Sequence, residues 1–398
     1  MYRKHSCPML GPTMRILHIG KYYPPDQGGM ERHVCDLATE QVANGHQVHV
    51  LCYHGSPGIP RTRESDNGIE ITRLHVRAKI SFAPLAPGFA RELHLLCQEF
   101  HPHVIHVHLP NPAVLFTMFF PANIPLVVHW HADVGGNGST NRFVRMAYPA
   151  YALFERAMLR RANAIIATSL PYLEYSPHLR NFRDKCTVIP LGIRPKNYSY
   201  QAGIDVPQTS GSPSSMVFSL GRFTFYKGFE YLVRAAQQLP QTNFVIAGEG
   251  ETLPAIRKLV HELGLEHQVL LPGAISHDHM VRLMNDCTLF CLSSIDRGEA
   301  FGIVLLEAML FGKPLISTDI PGSGTGWVNQ HEQTGLVVPP MDAPALAKAI
   351  QRILKNPELA TQYGQAAKRR FDTTFDLSVT MNAVYSVYEQ AMGISQKS

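Results

Sequence analysis

No apolar run in the 398-residue sequence is long enough to cross a bilayer, and the first residues, MYRKHSCPML, do not have the form of a secretory signal. A membrane-spanning or exported chain is therefore not expected. The seven cysteines are scattered, and no pair of Cys or His completes a zinc spacing, so neither a disulfide scaffold nor a zinc module is expected. Cys287 and Cys291 fall inside an apolar run and read as buried thiols of a reducing compartment. There is no G-x-G-x-x-G after a strand, which removes the support for NAD binding. There is no Asp-x-Asp, the usual carboxylate pair for holding a divalent ion on a diphosphate, so no metal and no cofactor are expected. Basic residues do not interleave with aromatics in the way a nucleic-acid surface requires, and nucleic acid is discounted as a partner.

What is present is a globular composition, 45% hydrophobic, on a chain too long for one ordinary core. Residues 1–190 carry 19 Lys and Arg against 13 Asp and Glu, whereas the remainder carries 17 against 18. The first half is the candidate for an anionic surface or substrate. Short apolar runs alternate with helical patterns throughout: MRILHIG, HQVHVLCYH, IEITRLHV, VIHVHL, PLVVHWHAD, AIIATS and CTVIPLG, with helical stretches near 85–100, 112–120 and 142–162. After Gln201–Ser215, rich in Gly, Pro and Ser, the rhythm resumes with MVFSLGRF, NFVIAGEG, VLLPG, TLFCLSS and PLISTDI. Such alternation implies parallel sheets covered on both faces, with ligands beyond the carboxyl ends of the strands. The expected domains are 14–195, joined by the amphipathic segment 373–398 packing back onto it, a linker at 196–215, and 216–372.

The candidate site residues cluster at strand ends. Gly28 and Gly29 stand between the first strand and a helix; His131 follows the fifth apolar run; Arg222 and Lys227 lie in the turn after MVFSL; Gly250 ends AGEG. His106, His108 and His129 lie within strands and read as packing or local hydrogen bonding. The stretch Arg297–Met309 opens as a charged turn and becomes an apolar helix, with Glu299 and Glu307 bracketing it. If it is helical after Phe301, the acids stand about 12 Å apart along its axis, from a rise of about 1.5 Å per residue. That approximates the span from a pyranose across a diphosphate to a ribose. The amides of Phe301, Gly302, Ile303 and Val304, at the helix start, would suit phosphate. An acid ahead of a helix also serves simply as a charge on its dipole, so this spacing alone leaves both readings open. The loop Pro321–Trp327, PGSGTGW, shows no helical pattern and reads as a flexible rim. The basic, aromatic stretch from Asn141 to Arg161 reads either as a helix on an anionic membrane or as a solvated basic face.

Taken in order, the glycine pair, HWHAD, VIPLGI, GRFTFYKG, AGEG and EAFGIVLLE make the chain resemble glycosyltransferase family 4, over nearly its whole length from Met14 onward. The resemblance implies the GT-B fold, an α/β architecture of two Rossmann-like parallel-sheet domains facing each other across a cleft. It implies a retaining, metal-independent transfer from a nucleotide sugar. Glu299 would hold donor-sugar hydroxyls and Glu307 the ribose. Arg222, Lys227 and the amides from Phe301 to Val304 would neutralise the departing diphosphate. His131 would contact the transferred sugar, and Gly28 and Gly29 would border the diphosphate and acceptor. PGSGTGW departs from relatives that carry an acid there. With HWHAD it is more similar to bacterial enzymes that build lipid-linked surface polysaccharide, several of them mannosyltransferases. The expected partners are thus a nucleotide sugar, GDP-mannose first and a UDP-sugar second, a lipid-linked or oligosaccharide acceptor, and the inner face of an anionic membrane. The expected location is cytoplasmic, peripheral on that membrane. A nucleotide-sugar epimerase and a non-enzymatic sugar- or lipid-binding protein are the rival readings.

Overall fold

The computed structural model describes residues 13–26, 28–80, 83–134, 142–199 and 215–394. The chain forms two compact units. Unit 1 comprises Met1–Ala167, Pro177–Ile189 and Thr380–Ser398; unit 2 comprises Thr168–Ser176 and Pro190–Val379.

In unit 1 the strands are β1 (Arg15–Ile19), β2 (Gln47–Tyr53), β3 (Thr62–Asp66), β4 (Ile69–Leu74), β5 (Ala78–Ile80), β6 (Ala83–Leu85), β7 (Val104–Leu109), β8 (Leu126–Trp130), β9 (Ala164–Ala167) and β10 (Cys186–Val188). They form a sheet in the order β10-β9-β8-β7-β1-β2-β4-β3, plus the small antiparallel pair β5–β6. All pairings in the large sheet are parallel except β3 with β4. Unit 2 contributes β11 (Met216–Leu220), β12 (Asn243–Ala247), β13 (Val269–Leu270), β14 (Leu289–Leu292), β15 (Leu315–Thr318) and β16 (Gly335–Val338), all parallel, in the order β13-β12-β11-β14-β15-β16. Both sheets are doubly wound, so strand order reverses beside the first strand. The switch lies between β1 and β7 in unit 1 and between β11 and β14 in unit 2, where ligands of such sheets bind.

The uninterrupted apolar runs follow from burial on both faces. In unit 2, Val217, Phe244 and Leu289 feed one core, with Leu232 and Ile350. Their neighbours Phe218, Val245 and Phe290 feed the other, with Leu305 and Phe371. In unit 1 one face begins as Met14, Ile16, Val104 and Val127 against Val384 and Tyr388 of the last helix. Two residues further along these strands the same face turns from aliphatic to imidazole. His18, His106, His108 and His129 are buried there, with His131 just beyond β8 and His33 of the helix Gly29–Ala43 edge-on to them.

The chain does not change units at the Gly/Pro/Ser-rich stretch expected as a linker, of which residues 200–214 lie outside the described ones. It changes at 167/168, 176/177, 189/190 and 379/380. The cause is local pairing. Ile193 N–H bonds Phe375 O at 3.1 Å and Leu377 N–H bonds Ile193 O at 3.0 Å, so the 190s belong with unit 2. The turn of helix Leu170–Tyr175 joins it through Arg297, whose guanidinium stacks 4.6 Å from the Tyr172 ring and 4.8 Å from Tyr175.

Burial lowers the His18 pKa from its ordinary 6.5 to about 4 and holds His106, His108, His129 and His131 well below the usual range, with neighbouring histidines adding to the effect. These rings are neutral in the folded state but protonate near pH 6.5 once unfolded, so stability falls as pH drops from 6.5 toward 4. For His18 alone the full loss is about 3 kcal/mol, at about 1.36 kcal/mol per pH unit. Urea unfolding as a function of pH should show a steep decline of the unit 1 transition between pH 6.5 and 5.

Candidate active site

At the unit 2 switch point, the loops after β11 and β14 bring Lys227 and Glu299 together, 72 residues apart in sequence. Lys227 Nζ lies 2.5 Å from Glu299 Oε2, and both side chains are buried. Ser294 Oγ donates to the same oxygen at 2.9 Å. Ser293 Oγ holds the Lys227 carbonyl at 3.0 Å, and Ser323 Oγ holds the Glu299 carbonyl at 2.5 Å. Glu299 Oε2 is thus committed to the protein, which leaves Oε1 as the oxygen able to accept from a ligand. The lysine charge is balanced in place, as a buried ammonium requires.

The helix between the two acids starts at Ile303, one residue later than expected. Gly302 precedes it as a left-handed cap, φ 80° and ψ 54°, and a Cβ there would lie 3.1 Å from Leu292 and Leu305 side-chain atoms. Phe301 is buried and its ring packs against Trp327 and Phe375. The candidate phosphate amides thus divide: Ile303 and Val304 open the helix, with no carbonyl one turn back to bond, while Phe301 and Gly302 precede it. Glu307 is half-buried one turn on and accepts from the Tyr198 hydroxyl at 2.8 Å.

Gly250 ends the loop after β12. A Cβ on it would sit 2.3 Å from Phe223 O, so this loop lies directly on the one after β11. The Arg222 side chain is exposed and has no partner among the described residues, so it is not drawn into the Lys227–Glu299 pair. The loop Pro321–Trp327 is a correction to the reading as a flexible rim. Thr325–Val328 is a turn of helix, and Ser323 and Thr325 are buried, their hydroxyls 3.1 Å apart. Small residues were read as freedom where they serve close packing: a Cβ on Gly324 would meet Ala300 O at 3.0 Å and Ser169 Oγ at 2.9 Å. With Pro171, Asp319, His331 and Val337, residues 320–323, 326 and 327 line a cavity of about 590 Å³ beside β15 and β16.

In unit 1, Gly28 caps the helix Gly29–Ala43 after β1, in extended backbone, with the Glu31 carboxylate folded over it. His131 stands past β8, its backbone N–H bonded to Leu109 O at 3.0 Å, and its side chain is buried. Two trios, His18/His106/His108 and His108/His129/His131, bring ring nitrogens within 4.8 Å of one another. Within them His18 and His108, and His108 and His131, are already hydrogen-bonded. His129 and His131 stack face to face, 4.3 Å between centroids and 9° between planes, which prevents one ion from lying in both ring planes. Ser294 and Tyr198, partners of the two acids, and Gln41 and His18, which are hydrogen-bonded in series to His108 and His131, were not picked out from sequence. The Ser293-Ser294 pair closing TLFCLSS was the available signal for the first.

These features match known proteins over most of the chain. The family model "Glycosyl transferase 4-like domain" matches residues 28–192, and "Glycosyl transferases group 1" matches 205–370. An O-antigen chain mannosyltransferase C of Escherichia coli is 26% identical over 377 residues, 94% of this chain and 98% of that protein. A D-rhamnosyltransferase of Pseudomonas aeruginosa is 29% identical over 370 residues, 91% of this chain and 92% of that one. The chain belongs to the group 1, family 4-type glycosyltransferases. Sucrose-phosphate synthase from Thermosynechococcus elongatus shares the fold, with a TM-score of 0.78 at 24% identity over 96% of this chain and 100% of that one. The glycosyltransferase therefore has the GT-B fold.

Replacing Glu299 by Ala in this glycosyltransferase would leave the Lys227 ammonium buried without its counter-charge. The expected loss is about 3–5 kcal/mol of unit 2 stability. Glu299→Gln should lose less, because an amide oxygen still accepts from Ser294 and Lys227. Urea unfolding of both variants checks the difference.

Proposed function

We propose that this glycosyltransferase is a retaining enzyme that moves mannose from GDP-mannose to a lipid-linked saccharide in the synthesis of a cell-surface polysaccharide. The observation that carries the nucleotide-sugar reading is the Lys227–Glu299 pair at the unit 2 switch point, beside the opening amides of the helix that ends its first turns at Glu307. A diphosphate arriving there meets an ammonium and two N–H groups that have no partner among the described residues, Oε1 of Glu299 accepts from a sugar hydroxyl, and Glu307 takes the ribose. Arg222, exposed on the loop after β11, folds onto the phosphates, and His131 contacts the transferred sugar. The bond from the anomeric carbon to the phosphate oxygen breaks as the acceptor oxygen bonds that carbon. The departing phosphate takes the acceptor proton, so no protein nucleophile is required. Stabilising the negative charge on the leaving group is the main catalytic contribution. The choice of mannose follows the relative named an O-antigen chain mannosyltransferase; a UDP-hexose is the second reading.

A transfer assay with a panel of nucleotide hexoses and a lipid-linked acceptor tests this. GDP-mannose should give the highest turnover, and EDTA should leave turnover intact because lysine, arginine and amides hold the diphosphate. Loss of activity on chelation, restored by magnesium or manganese, would show that the phosphate site uses a metal.

The acceptor's lipid bears on where the enzyme works. Among the described residues, no helix is long and apolar enough to cross a membrane. The helix Arg142–Arg161 does form, though Asn141 and the side chains at 142–145 and 147 lie outside the described ones. It exposes Met146 (69%), Leu153 (65%) and Phe154, next to the exposed Arg156 and Arg160. The 3-10 helix Pro112–Phe119 packs against it and exposes Met118 (83%) and Phe119. An apolar patch edged with arginines supports contact with an anionic bilayer at the inner face of the membrane. The protein should sediment with anionic vesicles more than with neutral ones, less so as salt rises above about 0.1 M. The double variant Met118→Glu, Leu153→Glu should remove most of that binding.

A further inference from the structure

Four buried side chains of unit 1 are joined in series across β1, β7 and the end of β8. His18 Nε2 lies 2.7 Å from Gln41 Oε1, His18 Nδ1 lies 3.0 Å from His108 Nε2, and His108 Nδ1 lies 3.1 Å from His131 Nε2. Each of the two inner imidazoles uses both ring nitrogens. Burial keeps these rings neutral, and a neutral imidazole has one N–H and one lone pair. Each contact therefore dictates the next. The Gln41 carbonyl only accepts, so His18 carries its proton on Nε2 and its Nδ1 accepts. His108 must then donate from Nε2 and accept at Nδ1, and His131 must donate from Nε2. A second branch leaves the same amide: Gln41 Nε2 donates to the Tyr388 hydroxyl at 3.2 Å, and that hydroxyl is hydrogen-bonded to His106 Nδ1 at 2.7 Å.

We propose that Gln41, His18 and His108 are positioning residues that hold His131 in its Nε2–H tautomer, so that its Nδ1 lone pair accepts a hydroxyl proton of the transferred sugar. The sugar half of this inference rests on the reading that His131 contacts the donor; the tautomer half does not. An amide turned over would reverse every bond in the series and make His131 Nδ1 a donor, so the direction is itself measurable. The series also accounts for a polar side chain at His18, on a face that is aliphatic two residues earlier at Ile16. His18 and His108 pass orientation from an amide on a helix to a strand end.

The test uses the full chain labelled with 15N-histidine at pH 7.5. Long-range proton–nitrogen correlations identify which ring nitrogen of His131 is protonated, the signals being assigned by their loss in His131→Ala. Nε2–H is expected in the unaltered protein. His18→Phe removes the acceptor for His108, and Gln41→Met removes the amide while leaving every imidazole in place. In either variant His131 should become a mixture of tautomers. Turnover should fall on the order of tenfold, about the strength of one neutral hydrogen bond, while affinity for free guanosine diphosphate stays within about twofold. Should His18→Phe fail to fold, Gln41→Met alone decides. An Nδ1–H form in the unaltered protein, or an unchanged tautomer in the folded variants, would overturn the assignment. Wild-type turnover in His131→Ala, with the tautomers as expected, would overturn the sugar contact and leave the tautomer assignment standing.

Discussion

An ammonium cannot be buried without a carboxylate, and the site in unit 2 is arranged around that constraint. Lys227 and Glu299 come from loops after adjacent strands that are far apart in sequence, and neither is tolerable there without the other. The serines at 293, 294 and 323 then fix the backbone and carboxylate that carry the pair. On the proposed function, an incoming diphosphate would compete with Glu299 for the lysine, and a sugar hydroxyl would bond the carboxylate oxygen that remains. On that proposal one ion pair would couple the two ends of the donor. Doubly wound topology makes this possible, because strands beside the switch point splay their following loops apart over the same spot.

The sheets could be read from sequence because both faces are covered, so each strand is an apolar run of a few residues. The polar edge strand β3, Thr62–Asp66, was not, since an exposed edge carries no such run. The acids Glu299 and Glu307 were legible as a spacing, and the helix start between them was off by only the cap at Gly302. Tyr198 and Ser294 were not, because hydrogen bonds across 109 and 5 residues leave no periodic trace. The loop Pro321–Trp327 misled for a physical reason. Glycine and serine mark both freedom and close approach, and only the neighbours decide which.

The histidines are a stronger case. Each alone is an ordinary strand residue, and the reading of His106, His108 and His129 as packing or local hydrogen bonding describes them one at a time. Parallel register places His18 opposite His106 and His108 opposite His129, which turns separate residues into one connected face. Pairing of that kind depends on register, which sequence periodicity does not specify across non-adjacent strands. Such a face costs stability in acid and provides direction, since a row of neutral imidazoles has two ends that differ.

Tyr388 lies 282 residues from His106 and 347 from Gln41, yet it bonds to both, and its ring closes the aliphatic end of the same core. A ribosome delivers the chain from its amino end, so all of residues 190–379 emerge before that tyrosine does. The unit that starts first is thus finished last. Until the final helix arrives, the aliphatic end of that face on the nascent first sheet is uncovered, and the whole second unit has room to fold in the meantime.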